Sequence, residues 1–183
     1  MKKIILAAAI LAIASPSFAQ KLMSRTAKIS FNATTPKSPE KIEGVNNEVA
    51  CILDAKTGDF VFQLQVKSFK FERELMQQHF NENYMESDKF PKSMFKGKIT
   101  NFGDVNLAKD GTYKVTVRGD LTVHGVTKTV SVPGTITVKG GTATASAKLQ
   151  IKLADYKVDV PSVVGDKVAK DAIITIDAAL AQK

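Results

Sequence analysis

From Phe60 to Val66 every second side chain is bulky and apolar: Phe60, Phe62, Leu64 and Val66 point one way, and Gln63, Gln65 and Lys67 continue the opposite, polar face. A period of two belongs to a strand with one buried face. The same alternation runs through Val49 to Leu53 and resumes in Met94–Asn101, Thr112–Leu121, Val126–Val132, Thr135–Lys139, Thr142–Leu153 and Val168–Leu180. So many half-buried strands must close on one another. Lys109-Asp110-Gly111, Pro133-Gly134 and Lys139-Gly140-Gly141 read as compact turns between neighbours, which makes the pairing mostly antiparallel. Asp54 to Asp59 links Val49–Leu53 to Phe60–Val66 as a hairpin. About eight strands fit a closed barrel, although a sandwich satisfies the same pattern.

The interruptions are as informative as the alternation. Met23, Ala27, Ile29 and Phe31 share one parity in the first strand, with Arg25 expected near an open end. Pro36 and Pro39 mark Thr34 to Lys41 as a loop. After Val66 the parity slips to Phe69 and Phe71, which predicts a bend or bulge. From Glu72 to Tyr84 the period becomes helical, with Leu75, Met76, His79, Phe80 and Tyr84 on one face. Phe90-Pro91 ends this excursion.

The chain opens with the pattern of a removable address. Lys2 and Lys3 precede a short apolar run from Ile4 to Ile13, and Ser17-Phe18-Ala19 supplies a small-x-small cleavage site. We therefore read residues 1–19 as a signal peptide and 20–183 as one mature domain, periplasmic and untethered, since Cys51 is the only cysteine and lies far inside. Loss of Lys2 and Lys3 lowers the formal charge from +8 to +6. The basic residues stand singly along strands, so nucleic acid is not an expected partner. Transient contact with a membrane surface fits this modest excess, and a homodimer is left open. Cys51 alternates with Val49 and Leu53, the setting of a buried thiol behaving as a small hydrophobe.

Side-chain bulk is unevenly distributed. Eight of the ten phenylalanines fall between Phe60 and Phe102. The strand Thr142–Leu153 instead turns Ala143, Ala145, Ala147, Leu149, Ile151 and Leu153 inward. Three successive alanines line their wall thinly, and a packed interior must meet a thin wall with bulk or with a ligand. Phenylalanines packed against the alanines would be the first outcome, and an apolar tunnel the second. Met76, Met85 and Met94 lie near Phe80, Tyr84, Phe90 and Phe95, and methionine adapts to irregular apolar shapes. That suits a lid, or a helix that simply plugs the barrel end.

Catalytic motifs are missing from the sequence: there is no Gly-x-Ser-x-Gly elbow, no His-Glu-x-x-His and no phosphate-cradling loop. His79 and His124 have no metal-ligand spacing and read as structural, each ring bonded to backbone. Glu82 and Glu86, four apart on the expected helix, read as solvated. The expectation is a non-enzymatic protein with no cofactor and no metal.

Three stretches together carry a resemblance. They are Lys67–Phe71 continuing through Leu75–Ser87, Lys89-Phe90-Pro91 through Phe95-Lys96-Gly97, and Gly119-Asp120-Leu121-Thr122-Val123-His124-Gly125-Val126-Thr127-Lys128. The chain resembles the YceI family, exported eight-stranded barrels that bind isoprenoid-type lipids, from about Met23 to Leu180. It is similar to a divergent branch: Arg73-Glu74 is separated from His79-Phe80, and Asp155-Tyr156-Lys157-Val158 stands where many members have Arg-x-x-Phe-Gly.

The resemblance implies an all-β fold with one helix, an antiparallel, lipocalin-like eight-stranded barrel with the helical segment near its mouth. It implies a polyisoprenoid or quinone-like lipid in the lumen, for transport or storage. The alternative is a stress or interaction protein whose barrel is fully packed and whose surface acts. The inward-facing candidates are Phe60, Phe62, Leu64, Val115 and Val117, with Ala143, Ala145, Ala147, Leu149 and Ile151 on the thin wall. Met76, Phe80 and Tyr84 would close the mouth, and His124 would hold the bend before Gly125.

Overall fold

The computed structural model describes residues 21–182. The expected signal peptide lies outside the described residues. Eight strands follow in chain order: β1 (Lys21–Thr34), β2 (Glu43–Asp54), β3 (Asp59–Gln65), β4 (Lys92–Ile99), β5 (Gly111–Val123), β6 (Val126–Lys139), β7 (Thr142–Lys152) and β8 (Val168–Gln182). Each pairs antiparallel with the next, and β8 returns to β1, so the sheet closes into a barrel. Of the two architectures the alternation allowed, the barrel is the one formed.

Expected and observed elements differ in three places, each for a local reason. Pro133-Gly134 is no turn: β6 runs straight through it, because Pro133 and Gly134 keep register with Thr116 and Val115 of β5. In β1 the parity is not continuous. Register shifts between Ser24 and Ile29 put Leu22 and Ser24, rather than Met23, on the buried side, and leave Arg25 exposed at the irregularity instead of at a strand end. The helix α1 spans only Glu74–His79 and widens into a π-turn over Phe80–Tyr84. Leu75 faces away from the barrel, 61% exposed, while Met76, Phe80 and Tyr84 stay inward.

Ladder lengths around the barrel are unequal. β5 and β6 pair along Gly111–Val123, whereas β2–β3 share only Ala50–Leu53 against Phe60–Gln63 and β6–β7 only Gly134–Lys139 against Thr142–Ala147. The β2–β3 joint is spliced: buried Asn46 donates its side-chain N–H to the Gln65 carbonyl at 3.0 Å, and Val45 and Lys70 exchange backbone bonds. Between β4 and β5, Gly97 faces Gly119 so closely that a Cβ on either would clash with the other strand's backbone.

Part of the core closes one end. Leu22, Leu53, Val138, Ala143 and Leu180 are buried there, with Val49 and Cys51 just above. Burial pushes the Cys51 thiol up to about 12 and keeps it a neutral, apolar-like filler. At the opposite end lie three long connections, 35–42, 66–91 with the helix, and 153–167, while 100–110 crosses the plugged end. One end is plugged, and the other is built of loops.

Candidate functional site

Above the plug the barrel encloses a cavity of about 390 Å³, within the range of small-molecule sites. Its lining is almost wholly apolar. Phe60, Phe62, Leu64 and Phe95 form one wall, Val115 and Val117 the next, and Ala145, Ala147, Leu149 and Ile151 the thin wall. Met76, Phe80 and Tyr84 of the helical segment border it from the loop end. Ala143 does not line it. It lies one rung nearer the plug, paired with Val138 and Leu180, whose bulk fills the space beside it. The alanines thus divide: one packs the floor, and two leave room.

Why the phenylalanines do not fill that room is visible at the loop end. Phe31, Phe69, Phe71 and Phe80 gather on each other instead, with Phe31 stacked on Phe80 at 5.1 Å and Phe69 edge-on to Phe31 at 5.6 Å. Gly44 makes space for two of them, since a Cβ there would meet the rings of Phe31 and Phe71. This cluster joins β1, the helix and the segment after β3, and Met76, Met85 and Met94 continue the apolar border. Among its few polar neighbours are Glu40, His79 and Lys167, with Glu40 tied to Arg73 at 2.8 Å. Burial pushes the Tyr84 phenol above its ordinary range, so it meets the cavity as a neutral hydroxyl.

Sequence reasoning did not single out Phe31, Phe95, Ile174 and Ile176 as lining residues, although their strand parity carried the signal. It also misread Glu86. That residue is not on the helix but beyond it, in a left-handed conformation (φ 41°), where its carboxylate meets His124. His124 and Gly125 both have positive φ, as a two-residue type I′ hairpin turn requires. A residue with a Cβ is strained in that region, and two contacts hold His124 there: Nδ1 to the Tyr156 carbonyl at 3.1 Å and Nε2 to Glu86 Oε2 at 2.9 Å. Phe90 packs edge-on against the imidazole at 4.6 Å. One turn thereby fastens the segment 85–90 and the short helix Leu153–Tyr156 to the barrel.

The family model for the YceI-like domain matches residues 21–180. The chain belongs to this family. The YceI-like barrel is similar in structure to a polyisoprenoid-binding domain from Saccharophagus degradans implicated in plant cell wall breakdown, at TM-score 0.77 and 11% identity, covering 91% of this chain and 100% of that one. It is also similar to BcnA of Burkholderia cenocepacia, at TM-score 0.67 and 23% identity, covering 85% of this chain and 96% of that one. A mutant YceI protein of Campylobacter jejuni aligns over 100% and 99% of the two chains, at TM-score 0.53 and 16% identity. None of the curated proteins matches this YceI-like chain.

Proposed function

We propose that this protein holds the apolar chain of an isoprenoid or quinone-like lipid in its barrel and carries or stores it in the periplasm. The observation that carries the reading is the apolar cavity between a plugged floor and a methionine-bordered loop end. Burying hydrocarbon contributes about 0.8 kcal/mol per CH₂, so a few isoprene units offset much of the cost of ordering the ligand. Such a site needs shape and dryness rather than reactive groups. The binding named for the Saccharophagus domain, which shares the fold, supports the same ligand class here. The leader-like residues 1–19 support export. We read the protein as non-enzymatic, with the lipid as ligand and not as cofactor; the alternative of a packed barrel acting through its surface is weakened by the cavity.

Native mass spectrometry of protein isolated from its own cells, followed by solvent extraction, tests this directly. A stoichiometric isoprenoid adduct is the expected result. A bare mass that persists after incubation with isoprenoids would overturn the reading.

A further inference from the structure

Three joints in the barrel have short ladders, β2–β3, β4–β5 and β6–β7, and only the last is left unspliced. Beyond the β4–β5 ladder, Thr100 donates its backbone N–H to the Thr116 carbonyl, and the Asn101 side chain donates to the Lys114 carbonyl and accepts from the Thr116 N–H. At β2–β3 the Asn46 side chain, the Val45–Lys70 bridge and buried Val66 and Phe69 seal the gap. At β6–β7 the ladder stops at Gly134 opposite Ala147. The next residue of β6 is Pro133, which has no N–H to offer a neighbouring strand. Beyond it, residues 129–133 of β6 and 148–152 of β7 stay in strand conformation yet form no rung with each other. Among the described residues no loop backbone bonds across them either.

This seam is bounded rather than frayed. At its far end Lys128 Nζ meets Asp155 Oδ1 at 3.4 Å, and His124 binds the Tyr156 carbonyl. Its two edges carry Val130 and Val132 on one side and Leu149 and Ile151 on the other, and all four line the cavity. At the last rung Gly134 and Ala147 supply almost no side chain, so the cavity reaches Thr135 and Ser146 behind them. The wall is thinnest where the seam begins.

Resting on the lipid-binding reading above, we propose that the β6–β7 seam is a lateral portal for the tail of the bound amphiphile. The cavity lies toward the small end of ligand sites, and a chain of many isoprene units outgrows it. The floor is plugged by Leu53, Val138 and Leu180, so excess chain must leave through the loop end or through the side. The seam offers apolar edges directly off the cavity. Short chains fit inside, whereas long ones thread between β6 and β7.

Prenols of farnesyl and geranylgeranyl length, each with a diazirine at the tail end, test this on the unmodified protein. After photolysis and peptide mapping, only the longer probe is expected to label the outward-facing Ser131, Pro133, Lys148 or Gln150 of the seam. Label from the longer probe confined to the floor (Ile99, Ile136) or to the loop end (Met76, Val164) would overturn the portal while leaving lumen binding intact. Saturable uptake of neither probe would overturn the lumen reading itself, and the portal with it. A second measurement staples the seam from outside, with Ser131→Cys and Gln150→Cys joined by a bis-maleimide. Both parent side chains are exposed, and buried Cys51 is out of the reagent's reach. The staple should slow loading of the longer probe by about tenfold, a change of about 1.4 kcal/mol in barrier, with farnesyl loading unchanged. Equal slowing of both, or of neither, would sink the idea.

Discussion

His124 Nε2 lies 2.9 Å from Glu86 Oε2, joining two residues 38 apart in sequence, both with left-handed backbones. Neither conformation is comfortable alone, and each residue is held by the other. The contact fastens the segment after the helix to the β5–β6 turn, so His124 is a structural clamp at the loop end of the barrel. Two of its consequences are measurable.

Replacing His124 with Ala removes both bonds and leaves a Cβ residue in a left-handed turn. Unfolding in urea should show a loss of about 2–3 kcal/mol. His124→Asn keeps a side chain that accepts this backbone more readily and should cost about half as much. Equal losses in both variants would mean that the backbone contributes nothing to the effect.

Ala145→Phe fills the cavity beside the thin wall, and we expect saturable binding of a fluorescent lipid probe to disappear with the circular-dichroism spectrum unchanged. Ala143→Phe is the contrasting case. Its position is packed against Val138 and Leu180, so overpacking should destabilise by about 1–3 kcal/mol. Unchanged probe uptake in Ala145→Phe would show that the lipid does not use the lumen.

Gly119→Ala places a methyl group against Gly97 and the Lys96 carbonyl across the β4–β5 ladder. The neighbours are backbone and cannot step aside cheaply. A loss of about 2 kcal/mol or more is expected from thermal or urea unfolding. A neutral outcome would mean that these two strands separate without penalty.

Cys51 gives a pH dependence of known sign. Its thiol ionises near 9 when unfolded and only at about 12 in the barrel. Below pH 9 both states are protonated and the contribution is complete. Above pH 9 the unfolded chain gains a thiolate that the fold excludes, so stability falls by about 1.4 kcal/mol per pH unit until the folded thiol ionises. Comparing urea midpoints of the parent with Cys51→Val between pH 8 and about 10.5 isolates this effect from other groups. Parallel curves would refute it.

Much of this fold was written locally. The alternation from Phe60 to Val66, the Gly-rich turns and the helical period around Met76 and Phe80 depend only on residues near one another, so they could be read from the chain. The inward parity of Phe62, Ala145 and Leu149 followed from the same rule. Periodicity failed at the β1 bulge, where an inserted residue changes face without any sequence mark, and at Leu75, which lies on the solvent-facing side of the short helix. Pro133-Gly134 has the composition of a turn, yet thirteen rungs with β5 carry the strand through it.

What only the tertiary structure decided is where space remains. Alternation says which side chains point inward, not whether facing walls meet. Ala143 and Ala145 look alike in sequence; one is packed by Val138 and Leu180, and the other borders a cavity. Of the phenylalanines that face it, Phe60, Phe62 and Phe95 form a wall, and Phe31, Phe69, Phe71 and Phe80 pack on one another at the loop end. The clamp between Glu86 and His124 and the unspliced β6–β7 seam are likewise products of closure. They depend on strands distant in the chain being brought side by side, and no local pattern encodes that distance.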